Sequence, residues 1–169
     1  MAFSVDMYMD ESLREFAEQN IAPECDWITD EEVVDGYVND LLGFLVGEMG
    51  IKGDVNISFS VVTSDRIHEM NREFRGVDAP TDVLSFPCDG LDDSGEAGDQ
   101  PLELGDIVIC PEVAFRQSRE YGNTYLEEFD LLVVHSFLHL LGYDHIEDDE
   151  AEVMERKQNE LKAAWERNA

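Results

Sequence analysis

Residues 131–141 are apolar at every position except His135, Ser136 and His139. A helix with so little polar surface has to be buried, so the rest of the chain must be built around it. His135 and His139 are four residues apart and lie one above the other on one face. Gly142 lets the backbone take a positive φ and leave the helix, so that His145 turns back toward the same point. Three imidazoles carried by a helix and its following turn match a catalytic zinc site, in which a fourth position stays open. The plainer reading of two such histidines is a hydrogen-bonded structural pair. The glycine and the third histidine favour the metal.

The spacing H-x-x-x-H-x-x-G-x-x-H is also the ligand spacing of the long metzincin protease signature. In those enzymes a glutamate after the first histidine is the general base, and here that position is Ser136. A hydroxyl does not replace a carboxylate in this role. A metallopeptidase-like amide hydrolase therefore keeps its ligands and lacks its base. An anionic substrate that binds the metal directly, such as a phosphodiester, has less need of one.

Further motifs accompany this stretch: Asn71, Phe74-Arg75-Gly76, Asp78, Pro80-Thr81-Asp82-Val83-Leu84-Ser85-Phe86-Pro87 and Leu104-Gly105-Asp106-Ile107-Val108-Ile109-Cys110. With His135 to His145 and the acidic run Glu147 to Glu150, they span roughly residues 55 to 165. In type and order they resemble the YbeY family of bacterial metal-dependent endoribonucleases associated with ribosomal RNA maturation. One departure is Ser136, where the family commonly has glycine; a small residue is kept beside the site.

At 169 residues the chain suits a single domain over 1–169, and strands separated by helices give an α/β or α+β layer; the resemblance favours the α+β form, with helices packed on a small mixed sheet of about four strands. It implies one Zn2+ held by His135, His139 and His145 at the end of the central helix. Arg75 is expected near the metal, in substrate binding or catalysis, and Asp106 is expected to be structural. The implied substrate is single-stranded RNA or a ribosomal RNA precursor, in 16S rRNA 3′-end maturation and ribosome biogenesis or quality control. Ribosomal proteins or small-subunit assembly factors are the implied partners.

Forty acidic residues against eleven basic ones give a net charge of −29, which repels a polyanion at long range and argues against tight non-specific nucleic-acid binding. Eight of the eleven are arginines, the better phosphate fork. Arg66, Arg72 and Arg75 cluster, as do Arg116 and Arg119, so a local positive cleft and ordinary surface ion pairs are both open. Cys25, Cys88 and Cys110 are odd in number and form no C-x-x-C, so neither a disulfide framework nor a cysteine zinc site is expected. No apolar run has the length of a membrane span and the first residues lack a basic segment, which leads to the expectation of a soluble cytoplasmic protein.

Along the chain, Phe3, Val5, Met7 and Met9 alternate as a strand, and residues 10 to 29 carry no clear pattern. A helix follows from Thr29 or Asp30 to about Gly50, then a strand through Val55, Ile57, Phe59 and Val61. Ser64 is placed to cap a short helix bearing Ile67, Met70 and Phe74, with His68 at its boundary and no ligand partner in spacing. A turn-rich loop leads to a strand at Val83 to Phe86, and residues 88–100, glycine-rich and acidic, read as a mobile loop. A strand over Leu104 to Ile109, a helix opened by Pro111, the central helix from Thr124 and a last helix from Asp148 complete the set.

The expected chemistry has the metal lowering the pKa of its bound water, the nucleophile held at His135 and its fellow ligands, while Arg75 neutralises charge on the phosphate. Arg75 could instead be tied to Asp78 or Asp82, and Asp144 could orient a ligand histidine or finish the helix. A third reading is a non-catalytic ribosome assembly factor with structural zinc, though such zinc usually has four protein ligands and three are counted here.

Overall fold

The computed structural model describes residues 3–15, 27–89 and 101–168. Alternation of apolar and polar residues builds strand β1 (Phe3–Met9), whose inward positions pack on the core, and β2 (Val55–Val61) puts Val55, Ile57, Phe59 and Val61 on the same side. With β3 (Val83–Pro87) and β4 (Leu102–Ile109) they form one sheet in the order β1-β2-β4-β3. β1, β2 and β4 run parallel and β3 is antiparallel to β4, so the sheet is mixed.

Five helices are described: α1 (Glu31–Glu48), α2 (Ser64–Arg75), α3 (Pro111–Tyr121), α4 (Tyr125–Leu140) and α5 (Asp148–Asn168). The fold is α+β with a four-stranded mixed sheet, as expected. α1, α4 and α5 share the large core on one face of the sheet. α2 covers the other face through Ile67, over Val62, Leu84, Val108, Cys110 and Val113. α4 is the helix around which the core closes. Phe129, Val133, Val134, Phe137 and Leu138 have no exposed surface, and each contributes roughly 1.5–3 kcal/mol by leaving water.

Local sequence sets the helix ends. Thr124 and Glu127 form a capping box at the start of α4: Thr124 Oγ1 accepts from Glu127 N, and Glu127 Oε1 accepts from Thr124 N, both at 3.1 Å. Asp30 caps α1, and Pro111 opens α3 where no helical N–H is needed. α2 is capped by Thr63 and not by Ser64: Thr63 sits in extended backbone and its hydroxyl accepts from Arg66 N, leaving Ser64 as the first helical residue. β4 begins two residues before the expected Leu104, because Leu102 and Glu103 pair with Val55 and Asn56.

Leu104 is then an extra residue in β4, since Glu103 pairs with Asn56 while Gly105 pairs with Ile57. Gly105 has φ 142°, and a Cβ there would lie 2.2 Å from the Phe86 carbonyl oxygen and 2.9 Å from a methyl of Leu140. Only glycine lets the sheet approach the end of α4 this closely. Within the unpatterned stretch, Leu13 and Ile28 are core residues. The expected mobile loop falls, from residue 90 onward, outside the described residues; Cys88 and Asp89 still pair with β4 through Leu104 and Glu103. Cys25 is also outside them, and Cys88 and Cys110 are free thiols.

Candidate metal centre and substrate cleft

His135 and His139 stand one turn apart near the end of α4, with their rings 4.7 Å apart between centroids. After Leu141 the chain turns through Gly142 at φ 98°, and the backbone N–H of Gly142 and Tyr143 bond back to the His139 and Leu138 carbonyls. This turn carries His145 to within 5.2 Å of His139 and 5.8 Å of His135, ring centre to ring centre. One ligand nitrogen from each of the three lies within 4.8 Å of the others. The group is of the right type and separation to hold a metal ion.

The hydrogen bonds around the rings test that fit. His139 Nδ1 lies 3.0 Å from the Tyr143 carbonyl oxygen, which only accepts, so Nδ1 carries the proton. His135 Nδ1 is 2.8 Å from Gln158 Oε1, on α5. With both protons placed there, the two Nε2 atoms face each other at 3.1 Å with lone pairs toward one another. Such a contact is repulsive unless a cation sits between them, and nitrogens about 2.0–2.1 Å from a tetrahedral ion are separated by only slightly more than this. His139 reinforces the point. Burial pushes its pKa down, and the neighbouring imidazoles of His135 and His145 push it further, so the neutral, ligating form is favoured.

The same cleft is lined by Arg75, Asp82, Ser85, Gln117 and Glu128 together with the three histidines. Arg75 is the only Lys or Arg among its lining residues, and it forms no ion pair among the described residues. The two carboxylates considered as its ties are otherwise engaged. Asp78 takes His68 Nε2 at 2.8 Å, and Asp82 Oδ1 accepts from Val83 N at 2.7 Å. His68 therefore stands apart from the cluster. Arg66 pairs with Glu69 and Arg119 lies over the Phe115 ring, and neither lines the cleft.

Asp144 does not orient an imidazole: its Oδ1 accepts from the His145 backbone N–H at 2.7 Å and shapes the turn. The ring-orienting partner on α5 is Gln158, twenty-three residues beyond His135. No local spacing signals such a pair. Ser136 is fully buried, its hydroxyl has no hydrogen-bond partner among the described residues, and it does not line the cleft. The position that holds the base in metallopeptidases is here packed into the core.

An α+β domain carries at the end of its central helix a histidine trio, His135 and His139 half-buried and His145 exposed, in a cleft whose one arginine has no ion pair among the described residues; this is the outline of a site that could hold a metal ion beside a substrate. The family model described as Endoribonuclease YbeY matches residues 21–166, and the chain belongs to this family. It is 41% identical over 134 residues to an Endoribonuclease YbeY of Bacillus subtilis, covering 76% of this chain and 83% of the relative. Against the one from Bacillus velezensis the identity is 42% over 130 residues, 73% and 81% of the two lengths. A Thermotoga maritima protein solved in solution superposes with a TM-score of 0.58 at 28% identity, covering 97% of this chain and 93% of that one. Among the described residues no helix is long and apolar enough to cross a membrane.

Proposed function

We propose that this chain is a zinc-dependent endoribonuclease that cuts single-stranded RNA, working in the cytoplasm on ribosomal RNA precursors in 16S rRNA 3′-end maturation. The observation that carries it is the pair of Nε2 atoms facing each other at 3.1 Å beside His145, in a cleft whose lone cation is Arg75. His135, His139 and His145 would hold the ion. When bound, it supplies Lewis acidity toward a phosphoryl oxygen and a coordinated water of lowered pKa.

The chain's own groups do the rest. Gln158 and the Tyr143 carbonyl hold the Nδ1 protons of His135 and His139, which keeps both Nε2 atoms as acceptors. The Arg75 guanidinium is free to pair with the scissile phosphate and neutralise charge as it grows on the oxygens. Membership of a family described as endoribonucleases supports the substrate class. The match over residues 21–166 supports reading the chain as one domain. Ribosomal proteins or small-subunit assembly factors fit the strongly acidic exterior as partners.

Incubation with labelled unstructured RNA and with casein, each with and without chelator, separates the readings. Chelator-sensitive cutting of the RNA alone is expected. Cutting of casein would turn the proposal toward amide hydrolysis. No cutting of unstructured RNA or of ribosomal precursors would leave an assembly factor in its place.

A further inference from the structure

The mechanism leaves one end of the cleft unused. Gln117 and Tyr121 are four residues apart on α3 and rise from one face of it, and both line the cleft with Asp82 and Glu128. Tyr121 is 67% exposed, immediately before the left-handed Gly122 that ends the helix. Glu128 is only 3% exposed. With its amide nitrogen toward the carboxylates, Gln117 donates to Glu128 Oε1 at 3.3 Å and Asp82 Oδ2 at 2.9 Å, and its carbonyl oxygen, with two lone pairs, is turned away from them as an acceptor. Among the described residues Glu128 Oε2 receives only a long bond from Asn123, at 3.4 Å. A flat apolar ring thus stands beside a floor with more acceptors than donors.

Charge decides which part of a nucleotide fits there. Glu128 precedes His135 by two turns of α4, about 10 Å along the axis. Phosphates are drawn to Arg75 and the histidine trio and repelled by Asp82 and Glu128. A neutral partner with a π-face and N–H donors on its edge meets both features, and nucleobases are recognised in this way in unpaired RNA. We infer that this end of the cleft is a nucleobase subsite, with Tyr121 stacking on a base close to the scissile phosphate while Glu128 and Gln117 accept hydrogen bonds from its edge. Guanine, with two adjacent N–H donors, is preferred over uracil, whose single N–H is flanked by carbonyl oxygens that the carboxylates repel. The inference rests on the RNA-cleaving reading above.

The test uses the metal-loaded protein and unstructured oligouridylates carrying a single guanine at successive positions. Wild type should cut at a constant offset from the guanine, with kcat/KM about tenfold above all-uridine RNA or more. Glu128→Gln should bring that ratio close to unity. Tyr121→Ala should raise KM about tenfold, with Tyr121→Phe restoring it, because the ring and not the hydroxyl does the stacking. Tyr121 is exposed, so its variants report even where Glu128→Gln fails to fold. Wild-type cutting without regard to guanine, or a ratio unchanged in Glu128→Gln, overturns the base subsite and leaves the nuclease reading intact. No cutting of any RNA overturns both.

Discussion

Two polar clusters sit on α4, and they differ in how far the chain satisfies them. Asp130, 5% exposed, accepts from the Tyr37 hydroxyl of α1 at 2.5 Å, and the Trp165 indole N–H of α5 donates to that hydroxyl at 3.3 Å. Every member has a partner within the protein, and the cluster ties three helices. One turn further along, His135 and His139 direct their outer nitrogens to Gln158 and a carbonyl, while their inner nitrogens have only each other. A buried polar group closed on itself serves packing. One left with lone pairs opposed is prepared for something from outside.

The contrast breaks most visibly if the histidines prove to be packing residues. Wild type is expected to carry roughly one equivalent of zinc, and His139→Ala should lose it together with at least about 10²-fold in RNA cleavage, with the circular dichroism spectrum kept. Full metal retention, read by elemental analysis, would remove His139 from the ligand set. Arg75→Ala should keep the metal and lose about 10²-fold in cleavage, since its proposed contact is with the phosphate and not with the ion. An equal loss of metal in that variant would make Arg75 part of the scaffold.

Gln158→Ala should weaken zinc affinity about tenfold or more, measured by competition with a chromogenic chelator, because the His135 ring is no longer held. Unchanged affinity would assign the amide to helix packing alone. The Asp130 cluster gives the smallest effect. Desolvation raises the Asp130 carboxyl to about 6 from 3.8, outweighing the hydrogen bond from Tyr37 that lowers it. The folded state then binds the proton more tightly than the unfolded state, so this group's penalty is absent at low pH and grows as pH rises through about 6. Asp130→Asn keeps an acceptor for Tyr37 and removes the charge. Its stability relative to wild type should improve by about 1 kcal/mol between pH 5 and pH 7 in urea titrations. A difference that does not change with pH would mean the carboxylate is ionised without cost.

Much of this was legible along the chain. The near-continuous apolar run of residues 131–141 marks the helix that must be central, and the caps at Asp30, Thr124 and Pro111 are local devices that read correctly. The histidine cluster follows from helical periodicity and one glycine, so its convergence could be anticipated. Strand order could not, because the register of β4 against β2 is decided by a bulge and by the contact of Gly105 with β3 and α4. Gln158, Glu128 and Tyr121 escaped notice for a related reason: the groups each shares the cleft or a hydrogen bond with lie on other elements, which local spacing does not report. Asp144 was correctly singled out as a neighbour of the site, but its hydrogen bond goes to the backbone, a choice that spacing does not reveal.

The support of His135 by Gln158 means that α5 has a stake in a site whose three histidines all come earlier in the chain. A ribosome will have released the three histidines before the residue that holds the first of them upright. Under the proposed function, tight capture of an ion waits until Gln158 has emerged and α5 has packed against α4, so metal uptake would report the docking of that helix.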